Sequence, residues 1–235
     1  MANVLKIISA LLSYPTQELL DAGQELQAAL DAESTMAPRH KTLVRALIDD
    51  LASRDIYDAE ERYVMLFDRT RSLSLHLFEH VHGESRDRGQ AMVDLAQMYE
   101  AQGFDIDAQE MPDYLPMFLE YLSTQSVEEV HNLLGQTLHI LTALRERLQK
   151  RQSVYANAFL ALEALASGQP DHEALAALRD IEEDDPDDLA ALDAVWEEEA
   201  VTFGGNAGEG DCGPDRLQRQ MRAARRAPQQ ELRGE

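Results

Sequence analysis

Apolar side chains in this chain recur at every third or fourth residue, and no segment shows the one-in-two alternation of a half-buried strand. That period belongs to the α-helix, so the folding options reduce to helices packed on helices. The longest stripe is Val130, Leu133, Leu134, Thr137, Leu138, Leu141, Leu144 and Leu148. It follows the capping box Ser126-Val127-Glu128-Glu129, in which serine and glutamate satisfy two orphan amides of a helix start. The spacing predicts one helix from there to about Leu148. The expected fold is all-α, a single multi-helix bundle with short connections.

The remaining stripes are read in the same way. Val4, Ile7, Ile8, Leu11 and Leu12 give a first helix, stopped at Ser13-Tyr14-Pro15 because proline drives the residue before it out of the helical region. Thr16 is expected to cap a second helix that buries Leu19, Leu20, Leu26 and Leu30. Pro38 opens a third, with Leu43, Val44, Leu47, Ile48 and Leu51 on one face. Asp58 with Glu61 reads as another capping box ahead of a short helix to Phe67. Segment 69–82 reads as a helix ended by Gly83. Segment 86–102 reads as the next, with Met92, Val93, Leu95, Ala96 and Tyr99 inward. Asp113 is expected to cap a helix over 114–122, where Pro116 falls in the tolerant first turn. Val154, Phe159, Leu162 and Leu165 mark a further helix, closed by Gly168-Gln169-Pro170.

After Pro170 the character of the chain changes. Leu175, Leu178, Leu189, Leu192, Val195 and Trp196 suit one or two short helices around the run E-E-D-D-P-D-D at 182–188, which reads as a solvated charge run. From Gly204 the chain is glycine-rich and then basic, with Arg216, Arg219, Arg222, Arg225 and Arg226 and little apolar surface to fold on. The expected division is a helical domain over 1–168, an acidic helical extension over 169–203 and a flexible, disordered tail over 204–235.

Charge narrows the partners. Asp and Glu number 44 against 21 Lys and Arg, for a net charge of -23. A nucleic acid or an anionic membrane needs a basic footprint, so both are excluded as expected partners, and a basic partner is favoured. The lone cysteine, Cys212, forbids an internal disulfide and a cysteine-based metal site within one chain. The N-terminal segment lacks a signal-peptide pattern, and no apolar run approaches the roughly 18 residues of a membrane span. A cytoplasmic, monomeric protein with no cofactor and no stable membrane association is expected.

Candidate chemistry concentrates in the stretch 57–121. Tyr63, Leu66 and Phe67 stand at i, i+3 and i+4, and Tyr114, Phe118 and Tyr121 at i, i+4 and i+7, also a helical spacing. Taken alone this is a core pattern. Their neighbours Asp68, Glu110, Asp113 and Glu120 add carboxylates, and an apolar floor with an acidic rim suits a basic amphipathic helix. His76 and His80, four residues apart beside Glu79, His82 and Glu84, have a spacing that chelates metal on a helix. Their order is not H-E-x-x-H and no third ligand is marked. A metal-dependent helical enzyme built on His76 and His80 is the alternative reading. No nucleophile elbow and no phosphate-binding glycine loop are present.

The same residues carry a resemblance. Y-V-M-L-F at 63–67 resembles the aromatic-x-x-Leu-Phe motif of the redox-enzyme maturation chaperones, an all-helical family dedicated to molybdoenzymes. E-M-P-D-Y at 110–114 resembles that family's Glu-Pro-x-Asp-His motif, with the proline one place later at Pro112 and Tyr114 in place of the histidine. With L-F-E-H-V-H-G-E-S-R-D-R-G-Q-A-M-V-D-L at 77–95, it is similar to the NarJ-type (delta-subunit) branch, which serves membrane-bound respiratory nitrate reductase. The resemblance covers about 5–165.

It implies a chaperone, not an enzyme. Such a protein binds the N-terminal segment of the apo catalytic (alpha) subunit of nitrate reductase. It holds that subunit competent for insertion of the molybdenum cofactor and an iron–sulfur cluster, delays membrane docking, and is absent from the finished enzyme. The implied peptide site is Tyr63, Leu66, Phe67, Glu110, Asp113 and Tyr114, with Asp68 and Glu120 added from their charge. His76, His80, Glu84 and Arg86 enter as members of the matching run. On this reading Asp113→Asn is expected to weaken the client complex and spare the fold.

Overall fold

The computed structural model describes residues 1–82, 86–104, 106 and 110–181, the side chains of His82 and Arg86 excepted. The run at 182–188, the glycine- and arginine-rich segment, Cys212 and Glu84 lie outside the described residues. Those described form twelve α-helices with no strand among them.

Two helices that are apolar nearly all round lie at the centre, as such helices must. α1 (Ala2–Leu12) buries Val4, Leu5, Ile7, Ile8, Leu11 and Leu12, and its principal partner is α8 (Leu115–Ser123), which buries Leu115, Met117, Phe118, Leu119, Tyr121 and Leu122. Each such side chain, fully buried, contributes about 1.5–3 kcal/mol. Ser9 is buried within this joint, and its hydroxyl donates to Pro116 O at 2.7 Å. α4 (Pro38–Ala52) and α10 (Leu138–Lys150) both pack on α11 (Ala156–Leu165), and α12 (His172–Asp180) packs on α10, adding Leu175 and Leu178 to the same core.

Several starts and stops fall where the sequence places them. Thr16 Oγ1 accepts from Leu19 N at 3.2 Å, and Ser126 Oγ accepts from Glu129 N at 3.2 Å. Pro38 opens α4, and Gly168 takes a positive φ of 86° after α11.

Other expectations are corrected. The helix expected after Thr16 is two, α2 (Gln17–Asp21) and α3 (Gly23–Ala32), and Leu19 and Leu26 are only half-buried. The break falls at Gly23, where a Cβ would lie 2.9 Å from that of Ala52, so α3 approaches α4 more closely than any other residue allows. The long helix after Ser126 also divides, into α9 (Val127–Gln136) and α10. At Thr137 the hydroxyl donates back to Leu134 O at 3.1 Å, the kind of bond that competes with the helix ladder. The cap of α5 (Ile56–Tyr63) is Asp55, accepting from Tyr57 N at 2.9 Å; Asp58 lies in the first turn. Segment 69–82 is not one helix. A 3-10 turn (Arg71–Leu73) is followed by extended chain and then α6 (Leu77–His82). On α7 (Arg86–Ala101) Tyr99 is fully buried, whereas Val93, expected inward, is exposed.

Candidate functional site

The segment after α5 does not continue as α-helix. Val64–Asp68 forms a π-helical turn in which Arg69 N donates to Val64 O at 3.0 Å, five residues back. Such turns are uncommon and gather at functional sites. This one turns Tyr63, Leu66 and Phe67 into the core. Tyr63 stands between Tyr14 and Phe67, with ring centroids 5.5 and 5.0 Å away, and Phe67 meets Tyr155 edge-on at 5.1 Å. Leu66 and Phe67 therefore support the site from below.

The second motif is tied to the first by two hydroxyls. Tyr63 Oη donates to Leu12 O at 3.0 Å and lies 3.0 Å from Tyr114 Oη. Tyr114 caps the start of α8 and pairs with His76 as an isolated antiparallel bridge, with Leu115 N donating to Leu75 O at 2.8 Å and Leu77 N to Asp113 O at 3.0 Å. This long-range pairing is what displaces helix from the residues before Leu77. The His76 and Tyr114 rings lie 5.4 Å apart.

Asp113, expected to cap α8, instead reaches across to α6. It is fully buried; Oδ2 accepts from Phe78 N at 3.1 Å, and Oδ1 lies 3.2 Å from His76 Nδ1. The carboxylate thus serves the N-terminus of a helix distant in sequence, where negative charge is favoured. Its bond to His76 raises that imidazole's pKa, against the opposing effect of burial.

Around Tyr114 the surface opens into a cleft of about 290 Å³. Phe104, Ile106, Pro116 and Met117 make its apolar walls, Ser13 and Tyr114 its polar floor, and Glu110 and Glu120 its acidic side chains. Both glutamates are exposed. Burial pushes the Tyr114 hydroxyl's pKa up, and the charges of Glu110 and Asp68 push it further. Asp68 is itself raised by desolvation, with His76 acting the other way. Negative charge therefore accumulates beside an apolar hollow, and an arriving cation would relieve it.

Of the residues singled out in the sequence, Glu110, Tyr114 and Glu120 line the cleft, Tyr63, His76 and Asp113 stand behind Tyr114, Leu66 and Phe67 lie in the core, and Asp68 is exposed. His80 faces elsewhere: its Nε2 donates to Ser74 O at 2.8 Å, and burial, with Arg147 nearby, lowers its pKa. His76 precedes α6 and His80 lies within it, so the two do not share a helix face. Among the described residues no three His, Cys, Asp or Glu side chains are placed to hold a metal. Glu84 and the Arg86 side chain fall outside the description. Sequence reasoning missed Ser13, Phe104, Ile106 and Met117. Only the Gly103 stop (φ 73°), which turns the chain toward Phe104, gave a sign of that wall. No described helix is long and apolar enough to cross a membrane.

Comparison with known proteins agrees with this architecture. The family described as nitrate reductase delta subunit matches residues 21–161. The chain is 43% identical over 220 residues to the nitrate reductase molybdenum cofactor assembly chaperone NarJ of Escherichia coli K12, covering 94% of this chain and 93% of that one. It is 38% identical over 201 residues to NarW of the same strain, named for the same role, covering 86% and 84%. A crystal structure from Archaeoglobus fulgidus, titled as a redox enzyme maturation protein, aligns with a TM-score of 0.52 at 21% identity over 70% of this chain and 92% of that one, a likeness of fold alone. The chain belongs to the nitrate reductase delta-subunit family, and is an assembly chaperone for that molybdoenzyme rather than an enzyme itself.

Proposed function

We propose that the chain binds the N-terminal segment of the apo catalytic (alpha) subunit of nitrate reductase in the Tyr114 cleft. It holds that subunit ready for the molybdenum cofactor and an iron–sulfur cluster before membrane docking. The chaperone acts in the cytoplasm as a monomer and leaves the finished enzyme. The observation that carries the reading is the cleft's make-up: Phe104, Ile106, Pro116 and Met117 beside Glu110 and Glu120. An amphipathic helix with basic residues matches it, apolar face inward and cations toward the glutamates. A client that must later be released calls for micromolar to nanomolar affinity, about -8 to -12 kcal/mol.

Calorimetric titration with a peptide of the catalytic subunit's N-terminus, at low and high salt, tests this. Saturable binding that weakens with salt is expected. Folded protein that leaves the peptide free at both salt concentrations would overturn the assignment of client to cleft.

A further inference from the structure

The connection after α1 leaves an aromatic ring in the open beside the cleft. Ser13, which lines the cleft, is held by its N and Oγ, both donating to Ser9 O at 3.0 Å. Pro15 is buried, and between the two Tyr14 is 46% exposed. Its ring meets that of Tyr63 nearly edge-on, with centroids 5.5 Å apart and planes at 75°. The Tyr63 hydroxyl in turn lies 3.0 Å from that of Tyr114 on the cleft floor. Tyr14 therefore stands one ring away from the cleft.

A carboxylate belongs to the same surface. The π-turn that sends Tyr63 inward ends at Asp68, which is exposed, and the charge of Asp68 acts on both the Tyr63 and the Tyr114 hydroxyls. Arg69, the next residue, turns its Nη1 to Met65 Sδ at 2.8 Å, and His76 pairs with Asp113 at 3.2 Å. The Asp68 charge is thus available to a cation from outside.

We propose that Tyr14 and Asp68 form a guanidinium subsite beside the Tyr114 cleft, taking an arginine side chain of the basic helix that lies there. The assignment rests on the reading that the cleft holds the client's N-terminal segment. A cleft of about 290 Å³ accommodates a few side chains, whereas a helix anchored at i, i+4 and i+7 runs about 10 Å. Its next turn passes over the neighbouring surface, where Tyr14 stands. A guanidinium is planar and weakly hydrated, so it stacks on an aromatic ring and pairs with a carboxylate at once; an ammonium does this less well.

The test uses the full chain labelled with meta-fluorotyrosine at its seven tyrosines, with Y14F identifying the Tyr14 signal in fluorine NMR. The probes are N-acetyl-arginine amide, N-acetyl-lysine amide and the N-terminal peptide of the catalytic subunit. At low salt the arginine compound is expected to move the Tyr14 signal saturably, and the lysine compound to bind at least about threefold more weakly. Y14L and D68N are each expected to weaken the peptide by about two- to fivefold, with helical content retained. Should either variant lose helical content, the arginine titration of the unmodified chain decides. A Tyr14 signal that ignores the arginine compound, or peptide affinity unchanged in both variants, would overturn the subsite; the cleft reading stands wherever the peptide still binds. Peptide left free by a chain whose Tyr14 signal answers arginine removes the client and keeps the subsite.

Discussion

Asp113 and His76 meet at 3.2 Å across the bridge that joins the start of α8 to the start of α6, and the aspartate's other oxygen accepts from Phe78 N. One buried carboxylate therefore fixes the backbone on which Tyr114 and the cleft are mounted. This revises the expectation that Asp113→Asn spares the fold. An amide can keep its oxygen for Phe78 N only by turning its N–H groups toward His76, which removes the negative charge and excludes the protonated imidazole from the contact. A loss of about 1.5–3 kcal/mol in urea unfolding is expected. Unchanged stability would show that the carboxylate is not what holds the bridge.

His76 adds a pH dependence to the same contact. Its pKa is raised from the ordinary value of 6.5 by the Asp113 bond. A raised folded-state pKa means that the folded protein binds the proton more tightly than the unfolded chain does. The stabilisation is thus complete below the unfolded value and disappears as pH rises through the folded one. His76→Gln is expected to cost more stability at about pH 6 than at about pH 8. A cost that stays constant or grows with pH would rule the charged pair out. His80 has the opposite sign, because burial lowers its pKa; its contribution is lost as pH falls, and the two single variants separate the effects.

Two glycines offer a matched pair. A Cβ on Gly135 would lie 2.7 Å from the carbonyl oxygen of Ser167, in a turn already tied to α9 by Ser167 N and Oγ, which both donate to His131 O at 3.0 Å. Gly135→Ala is expected to cost about 1–3 kcal/mol. Gly89, on α7, has nothing within 4 Å of such an atom, and Gly89→Ala is expected to stabilise by about 0.4–1 kcal/mol. Thermal unfolding of both variants reads the contrast; similar melting temperatures would refute the close approach at Gly135.

The cleft's charge is separable from the core beneath it. Glu110 and Glu120 are exposed, so the double variant E110Q/E120Q is expected to fold as before. Its titration with the basic client peptide is expected to lose about 0.2–1 kcal/mol per charge and much of the salt dependence. Retention of the full salt dependence would move the electrostatic recognition elsewhere. Phe67→Ala behaves differently, since the ring is buried between Tyr63 and Tyr155; about 3–5 kcal/mol of stability is expected to go with it. Peptide binding by that variant therefore needs a parallel unfolding curve.

The helical character, the core stripes and the caps at Thr16 and Ser126 were legible because each depends on residues within one or two turns of chain. What escaped depends on partners far away. Leu75 and His76 leave the helical pattern because Asp113, Tyr114 and Leu115 supply backbone partners nearly forty residues on. Asp113 looked like the cap of its own helix because nothing in the local sequence marks Phe78 N as its donor. The break at Gly23 answers to Ala52 on another helix. The two motifs of the cleft were recognisable as strings. Phe104 and Ile106 were not, since a wall contributed by a short connection has no period to betray it.

The π-turn at Val64–Asp68 places one more residue in its turn than an α-helix would hold. Deleting a single residue there would restore an unbroken α-helix and favour local helix formation. It would also rotate everything downstream by about 100°, carrying Asp68 away from His76. A length change of one residue, harmless in most connections, would here dismantle the site while improving the helix, so natural variation in this segment is expected through substitution rather than insertion or deletion.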